Sequence, residues 1–391
     1  MKFRDKTLDG IKPTDRRWSW IEVELDAVRK NINTTKAKIG PRCKLLVIVK
    51  ADAYGHGAVQ IAKTALKCGV AYLGVATVDE AMELRDAKID AKILVLSQPP
   101  VTSIPLLVKY NISPAVHTTQ FAIQYAEAAD QAGKLAPYHL AVNTGMNRVG
   151  VRHNEAIDFV KSINFHRALV LEGTFTHFAT ADCADEMEFN HQLSLFRQLI
   201  DNMKVANIDP GIVHAANSAA IFRYPESHFD MVRAGVCIYG YYPSDVIKKY
   251  VELDHAMSVH ARIVDERILA IGEGVSYGHN YRARSSVKIC TIPIGYADGL
   301  HKCASGKIGV IYKGKIFPQV GSICMDMSMF EIDMNTATSQ LNYDAQIGDE
   351  VILVGRDGDA AITFEELAEA SSSVTYDMVC SFSRRMPVIY V

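Results

Sequence analysis

From residue 45 to about 233 the chain alternates short apolar, β-branched runs with stretches whose apolar residues recur at helical spacing. The runs are Leu45–Val49, Tyr72–Ala76, Lys92–Leu96, Ile112–Val116, Tyr138–Val142, Leu171–Phe175, Gly211–Ala215 and Phe229–Arg233, and Val78–Lys88 is one of the helical stretches between them. A strand can rejoin its neighbour in parallel only through a long crossover, so this alternation predicts βα units and a parallel sheet. Eight runs point to an α/β fold with a closed (β/α)8 TIM-like barrel; an open doubly wound sheet is the rival.

After Tyr242 the texture changes to strand patterns separated by turns, Ala261–Ala270, Val287–Pro293, Ile308–Tyr312 and Val351–Val354, which predict a mainly antiparallel β domain. Thr363 and Glu366 form a capping box ahead of Leu367 and Ala370, so one helix is expected late in the chain. With 391 residues the chain exceeds one ordinary core. We therefore divide it into a barrel over residues 15–245 and a β domain over 246–391. The run Trp18–Leu25 precedes the first barrel strand, and residues 1–25 can pack with the second domain.

Composition narrows the function class. No apolar run reaches membrane-spanning length, and Met1–Lys6 is basic with no apolar stretch behind it, so no membrane partner and no secretory signal are expected and the cytoplasm is the default. A net charge of -2 with both signs interspersed leaves no electrostatic footprint for nucleic acid. Cysteines 43, 68, 183, 237, 290, 303, 324 and 380 show neither CxxC spacing nor the density of a disulfide scaffold, so free thiols and no metal are expected. Small-molecule chemistry is what remains.

Polar residues without an obvious packing role follow the barrel strands, where a barrel of this kind builds its active site. Lys50 ends the first run, and Tyr54-Gly55-His56-Gly57 supplies a loop able to approach a ligand closely. Arg148 lies beyond the fifth run and His177 beyond the sixth. After the seventh, Asn217-Ser218 opens a helix that would aim N–H groups and a hydroxyl at an anion, and Arg233, Gly235 and Val236 close the eighth. Singly, each has a bland reading: a snorkelling lysine, a helix cap, a surface ion pair. Jointly they describe an amine and a phosphate cradle at one barrel mouth. Pyridoxal 5'-phosphate needs both, since its aldehyde condenses with an amine and its phosphate is an anion. A phosphorylated sugar would also fit, which keeps an aldolase or sugar-phosphate isomerase open.

Beyond these residues, the chain resembles the alanine racemases, fold-type III pyridoxal-phosphate enzymes, from about Trp18 to Pro387. Val49–Gly57 looks like the family's cofactor-lysine signature, and Leu73–Arg85, His214–Ala219, Val232–Tyr239, Gly274–Gly278, Ile294–Leu300 and Gly321–Asp326 look like its other blocks, in order. The resemblance implies racemisation of an amino acid, L-alanine to D-alanine for supply of cell-wall precursors, by a homodimer whose active sites join the barrel of one subunit to the β domain of the other. Lys50 would hold the cofactor as a Schiff base. Tyr54, Ser218 and the backbone after Arg233 would hold its phosphate, and Arg233 would face the pyridine nitrogen, which an always-protonated arginine leaves unprotonated. Two bases must flank the carbon that changes hand; the family assigns Lys50 and Tyr277 of the partner subunit, with His177 and Arg233 as cations able to lower the phenol's pKa. Met325 and Arg148 would receive the substrate carboxylate, and Tyr296 resembles a gate.

Two departures from the family touch the site. Where many relatives carry a carbamylated lysine that orients the arginine, this chain reads His139-Leu140-Ala141-Val142-Asn143, and Arg384 stands where some relatives place a tyrosine. A guanidinium buried beside the cofactor is costly without a counter-charge, so a chloride ion near Arg148 and Asn143 is expected, with a carboxylate or water as alternatives. A serine or broad-specificity racemase would share every catalytic residue. A fold-type III decarboxylase would pair the ring nitrogen with a carboxylate where Arg233 stands, and a non-catalytic cofactor-binding barrel would need neither the β domain nor Tyr277.

Overall fold

The computed structural model describes residues 5–334, 344–382 and 385–391. Two compact units emerge: one comprises residues 26–53 and 57–255, the other the described part of residues 1–25, Tyr54–His56 and residues 256–391.

The first unit is a closed parallel barrel. Its strands are β1 (Lys44–Ile48), β2 (Tyr72–Val75), β3 (Lys92–Val95), β4 (Ser113–Val116), β5 (Ala136–Asn143), β6 (Leu169–Phe175), β7 (Ile212–His214) and β8 (Met231–Ala234). Each pairs with the next in parallel, and β8 returns to β1 with Met231 opposite Lys44 and Ala234 opposite Val47, which closes the ring and removes both sheet edges. The eight apolar runs are therefore barrel strands. β2 and β4 are buried at every position, the near-continuous apolar texture expected of strands covered on both faces.

Caps fix where the barrel helices begin. Thr77 and Glu80 form a capping box on the helix Val78–Asp86. The same Glu80 reaches further, accepting from the backbone N–H of Ala76 and, at 2.8 Å, from that of Ala51 in the loop after β1. A helix start thus doubles as a brace for the segment that carries Lys50.

In the second unit the sheet order is Asp265–Leu269, Val287–Ile292, Ser328–Asp333, Lys315–Val320, Gly309–Tyr312, Glu350–Asp357, Met257–Arg262, Ser19–Val23 and Val388–Tyr390. Ser19–Val23 pairs antiparallel with Met257–Arg262 and parallel with Val388–Tyr390, so the N-terminal run joins this unit. The single strand expected over Ala261–Ala270 is two. Ile263 N–H donates to Asp349 O and Val264 N–H to Thr291 O, so the ladder changes partner there and the chain bends between neighbours. The capping box of Thr363 and Glu366 is present on the helix Phe364–Ala370, and a further helix, Thr375–Ser381, follows it without a comparable signal in the sequence.

Candidate active site

Lys50 leaves β1 into an unusual backbone. Ala51, Asp52 and Ala53 have φ/ψ near +52 to +55° and +42 to +50°, and Tyr54 continues with φ +53°. A left-handed turn of L-residues costs roughly 1–2 kcal/mol per residue, so it persists only where the surroundings hold it. Here Ala53 N–H donates to Val49 O, Gly57 N–H to Asp52 O and Ala58 N–H to the Asp52 carboxylate, at 2.9, 2.8 and 3.0 Å. The lysine is thereby set on a rigid corner at the C-terminal end of its strand.

Arg233, on β8, is buried at the same end of the barrel. Its guanidinium donates to Thr176 O and Ala215 O, both at 2.8 Å, and to Nδ1 of His214 and of His177, both at 3.1 Å. These partners are neutral. Burial, with the nearby charge of Arg148, pushes Arg233 down to about 9. Burial likewise pushes His177 down to about 3, and the charges acting on it are Arg233, Arg148 and Lys50, all cationic. Lys50, Arg148 and Arg233 therefore all act on one uncharged imidazole, and the charges that shift it are cationic. Such a pocket is built for an anion that arrives from outside.

Asn217 caps the short helix Ser218–Arg223, its side chain accepting from Ala220 N–H, and Ser218 Oγ accepts from Gly235 N–H at 2.9 Å, tying that helix start to the turn after β8. Val236 opens the turn Val236–Tyr239 that continues from Gly235. A helix cap was the alternative to a ligand role for Ser218; the cap is Asn217, whose carboxamide sits one residue earlier. Ala141 is buried with Ala115 and Phe175 in an apolar cluster. Asn143 is committed to its own loop: Oδ1 accepts from the N–H groups of Gly145 and Asn147, and Nδ2 donates to Asn147 Oδ1. Arg148, expected to be buried, is exposed in the single chain, because this polar turn carries it beyond the end of β5.

The β unit presents the remaining candidates on laced loops. Ser276 Oγ donates to Ser322 O, and Ser322 Oγ donates to Tyr277 O at 3.1 Å. Tyr296 N–H and Ala297 N–H donate to Cys324 O and Met325 O, both at 3.0 Å. A Cβ at Gly295 would lie 2.4 Å from either carbonyl, so only glycine allows the two loops to meet there. The buried carboxylate of Asp298 fastens this corner, accepting from Gly295 N–H and pairing with Arg17 and Arg385. Tyr277, Met325 and Tyr296 stand at its surface, 74, 52 and 42% exposed. Arg384 lies outside the described residues.

The donor set fits pyridoxal phosphate: an amine on a rigid corner, three cations acting on one neutral imidazole, and a guanidinium that can donate but never accept. Sequence reading did not single out Asp298 and Arg17, whose pairing spans distant parts of the chain. Nor did it single out the buried groups behind Arg233, His214, His139 and Glu172, although an ionisable residue inside an apolar strand run was the available signal.

Residues 23–243 match the model for the alanine racemase N-terminal domain and residues 256–390 that for the C-terminal domain. The chain is 38% identical to alanine racemase 2 of Oceanobacillus iheyensis over 377 residues, covering 96% of this chain and 94% of the relative. It superposes on alanine racemase of Clostridium difficile 630 with a TM-score of 0.89 at 37% identity, covering 96% of each chain. It also superposes on a histidine racemase of Leuconostoc mesenteroides with a TM-score of 0.87 at 30% identity, covering 96% and 98%. With both domain models matched in order and relatives aligned over nearly its full length, the chain belongs to the alanine racemase family.

Proposed function

We propose that this protein is a pyridoxal-phosphate-dependent amino-acid racemase acting on alanine, with Lys50 and the partner subunit's Tyr277 as its two bases. The carrying observation is that neutral His177 lies within the field of Lys50, Arg148 and Arg233, while the four groups to which buried Arg233 donates are all uncharged. Bound pyridoxal phosphate would supply a carbonyl for the Lys50 amine and a ring able to share the charge left when an α-proton departs. Ser218, Asn217, Tyr54 and the backbone of Gly235 and Val236 after Arg233 would hold its phosphate.

The chain's own residues would do the rest. Lys50 Nζ would take or return the proton on one face of the α-carbon and the Tyr277 hydroxyl on the other. A phenol of pKa about 10 is a poor base at neutral pH unless its charged form is stabilised. His177, expected as a cation, is kept neutral mainly by burial and would act by hydrogen bonding instead: its Nδ1 accepts from Arg233, so its Nε2 carries the proton and can donate to a phenolate. Tyr277 is 74% exposed in the single chain, the state expected of a base delivered into a partner's barrel. Arg148 and Met325 would receive the substrate carboxylate, Tyr296 would gate the pocket, and a chloride ion would take the place of the carbamylated lysine between Asn143 and Arg148.

The likeness to a histidine racemase keeps a second reading, a serine or broad-specificity racemase on the same scaffold. Supplying the purified protein with pyridoxal phosphate and following optical rotation with L-alanine, L-serine and L-histidine decides between them. Fastest loss with L-alanine is expected. A faster loss with another amino acid favours the second reading, and no loss with any overturns racemisation.

A further inference from the structure

A line of polar contacts runs through the barrel from Arg233 toward the N-terminal ends of the strands, hydrogen-bonded as far as His139 and closing on Glu172 at ion-pair distance, and the two-base scheme makes no use of it. Arg233 donates to His214 Nδ1 at 3.1 Å; His214 Nε2 lies 2.8 Å from His139 Nδ1; His139 Nε2 lies 3.6 Å from Glu172 Oε2. The Glu172 carboxylate also accepts from Lys92 Nζ at 2.6 Å, Ser113 Oγ at 2.7 Å and Tyr72 OH at 3.4 Å. Those three begin β2, β3 and β4, so Glu172 sits at the barrel floor while Arg233 sits at its mouth. The Tyr125 hydroxyl is near enough to feel its charge.

The two ends dictate the protons between them. A guanidinium nitrogen donates and never accepts, so His214 Nδ1 is bare and His214 carries its proton on Nε2. That proton points at His139, whose Nδ1 must then be bare, leaving the His139 proton on Nε2, directed at Glu172. Every group around Glu172 is a donor, which suits an ionised carboxylate. Burial works against its charge, but the nearby His139 imidazole and the hydrogen bonds from Lys92 and Ser113 outweigh that and hold it below the usual carboxylate range. Burial also keeps both imidazoles uncharged. Gly173 makes room for the link: a Cβ there would lie 2.5 Å from His139 Nδ1.

We propose that Glu172 is a positioning residue for Arg233, fixing through His139 and His214 the tautomer that keeps His214 an acceptor for the guanidinium. This rests on the reading that Arg233 faces the cofactor ring. A charge at the barrel floor would thus set the geometry of the group that tunes the cofactor at its mouth, a role that second-tier hydrogen bonds to histidine commonly serve.

Protein labelled with 15N-histidine, examined by long-range 1H–15N correlation with His139→Gln as the assignment control, reads the tautomers directly. In the wild type both imidazoles are expected with bare Nδ1 and protonated Nε2, whether or not pyridoxal phosphate is bound. In Glu172→Gln, whose amide offers a competing donor, mixed tautomers are expected at both. The loaded variant should show a shifted pH titration of its visible absorbance and kcat lower by about tenfold with KM within about twofold. Glu172→Asp should restore part of each. A wild-type His214 protonated on Nδ1 overturns the proposal even if no variant folds. So does a Glu172→Gln protein that melts earlier while its tautomers and titration stay as in the wild type. Because the tautomers are read without cofactor, failure of the cofactor reading would appear separately, as a Lys50→Ala protein that keeps the visible absorbance.

Discussion

The two units organise their polar residues in opposite ways. In the barrel the polar groups are buried and bound to one another: Arg233 is held by two carbonyls and two imidazoles, and Lys50 leaves a left-handed corner tied down by Val49, Asp52 and Glu80. In the β unit the loops are laced just as firmly, through Ser322, Gly295 and Asp298, yet Tyr277, Met325 and Tyr296 end at the surface. One unit fixes the pocket and its charge; the other fixes a presenting face. A rigid loop with exposed functional side chains is an expense for a monomer and an asset for an assembly in which that face meets another copy.

Substituting the barrel's amine should have the largest effect. Lys50→Ala is expected to remove the visible absorbance of the cofactor-loaded protein and lower racemisation by at least ~1,000-fold, since in the proposed scheme it would delete both the attachment and one base. Spectra and turnover of the purified variant check this. An unchanged absorbance band would move the centre of the barrel's chemistry elsewhere.

The corresponding change in the β unit should be smaller and one-sided. Tyr277→Phe should keep the cofactor absorbance while slowing α-proton exchange by about 100–1,000-fold from one enantiomer, the L-form if the family's face assignment holds. Deuterium wash-in before product release, measured from L- and D-alanine separately, distinguishes this from equal loss in both directions, which would contradict a division of labour between the units.

A third test concerns the barrel alone. Folding pushes His177 down to about 3, and His214 well below its ordinary value, in both cases mainly by burial. The unfolded chain takes up these protons near about 6.5, so the native state binds fewer of them and stability rises with pH across that interval. The contribution is in place above about pH 6.5 and is lost as pH falls toward about 3. His177→Asn should flatten this slope by on the order of 1–3 kcal/mol, seen as a smaller drop in melting temperature between pH 7 and 4.5. An unaltered slope would mean that the imidazole is hydrated and the pocket less dry than its burial implies.

Much of the barrel was legible because its strands are short apolar runs between helical stretches, and its mouth residues because each follows such a run. The break in Ala261–Ala270 was not, since it depends on which neighbours, Asp349 and Thr291, take the Ile263 and Val264 N–H groups. The left-handed corner at Ala51–Tyr54 contains no glycine and only Asp52 among residues that tolerate positive φ, so the hydrogen bonds around it carry most of the explanation. Glu172 and His139 stood in view within strand runs, but their link to Arg233 passes through three strands remote in sequence. The exposure of Arg148 followed from the Asn143 turn, whose hydrogen bonds are local and yet carry the side chain past the strand end.

The smallest expected effect concerns that turn and the anion proposed beside it. Asn143 has spent its oxygen on two backbone N–H groups, which fixes how its amide is turned, and one of its two amide protons on Asn147. One proton remains for an external acceptor. Ala141, where the resemblance to the family would place a carbamylated lysine, is buried against Ala115 and Phe175 and offers no charge. Arg148 is exposed in the single chain and would need a counter-charge only once a bound substrate and a partner subunit have removed water from it. An anion there should therefore act on substrate binding and leave the folded barrel unaffected. Exchanging chloride for gluconate at constant ionic strength is expected to raise KM by about 2–5-fold with little change in kcat or melting temperature. Ala141→Lys, assayed in bicarbonate so that carbamylation can occur, should lose that dependence. A KM indifferent to the anion in the parent protein would overturn the chloride and assign the orientation of Arg148 to water or to a carboxylate.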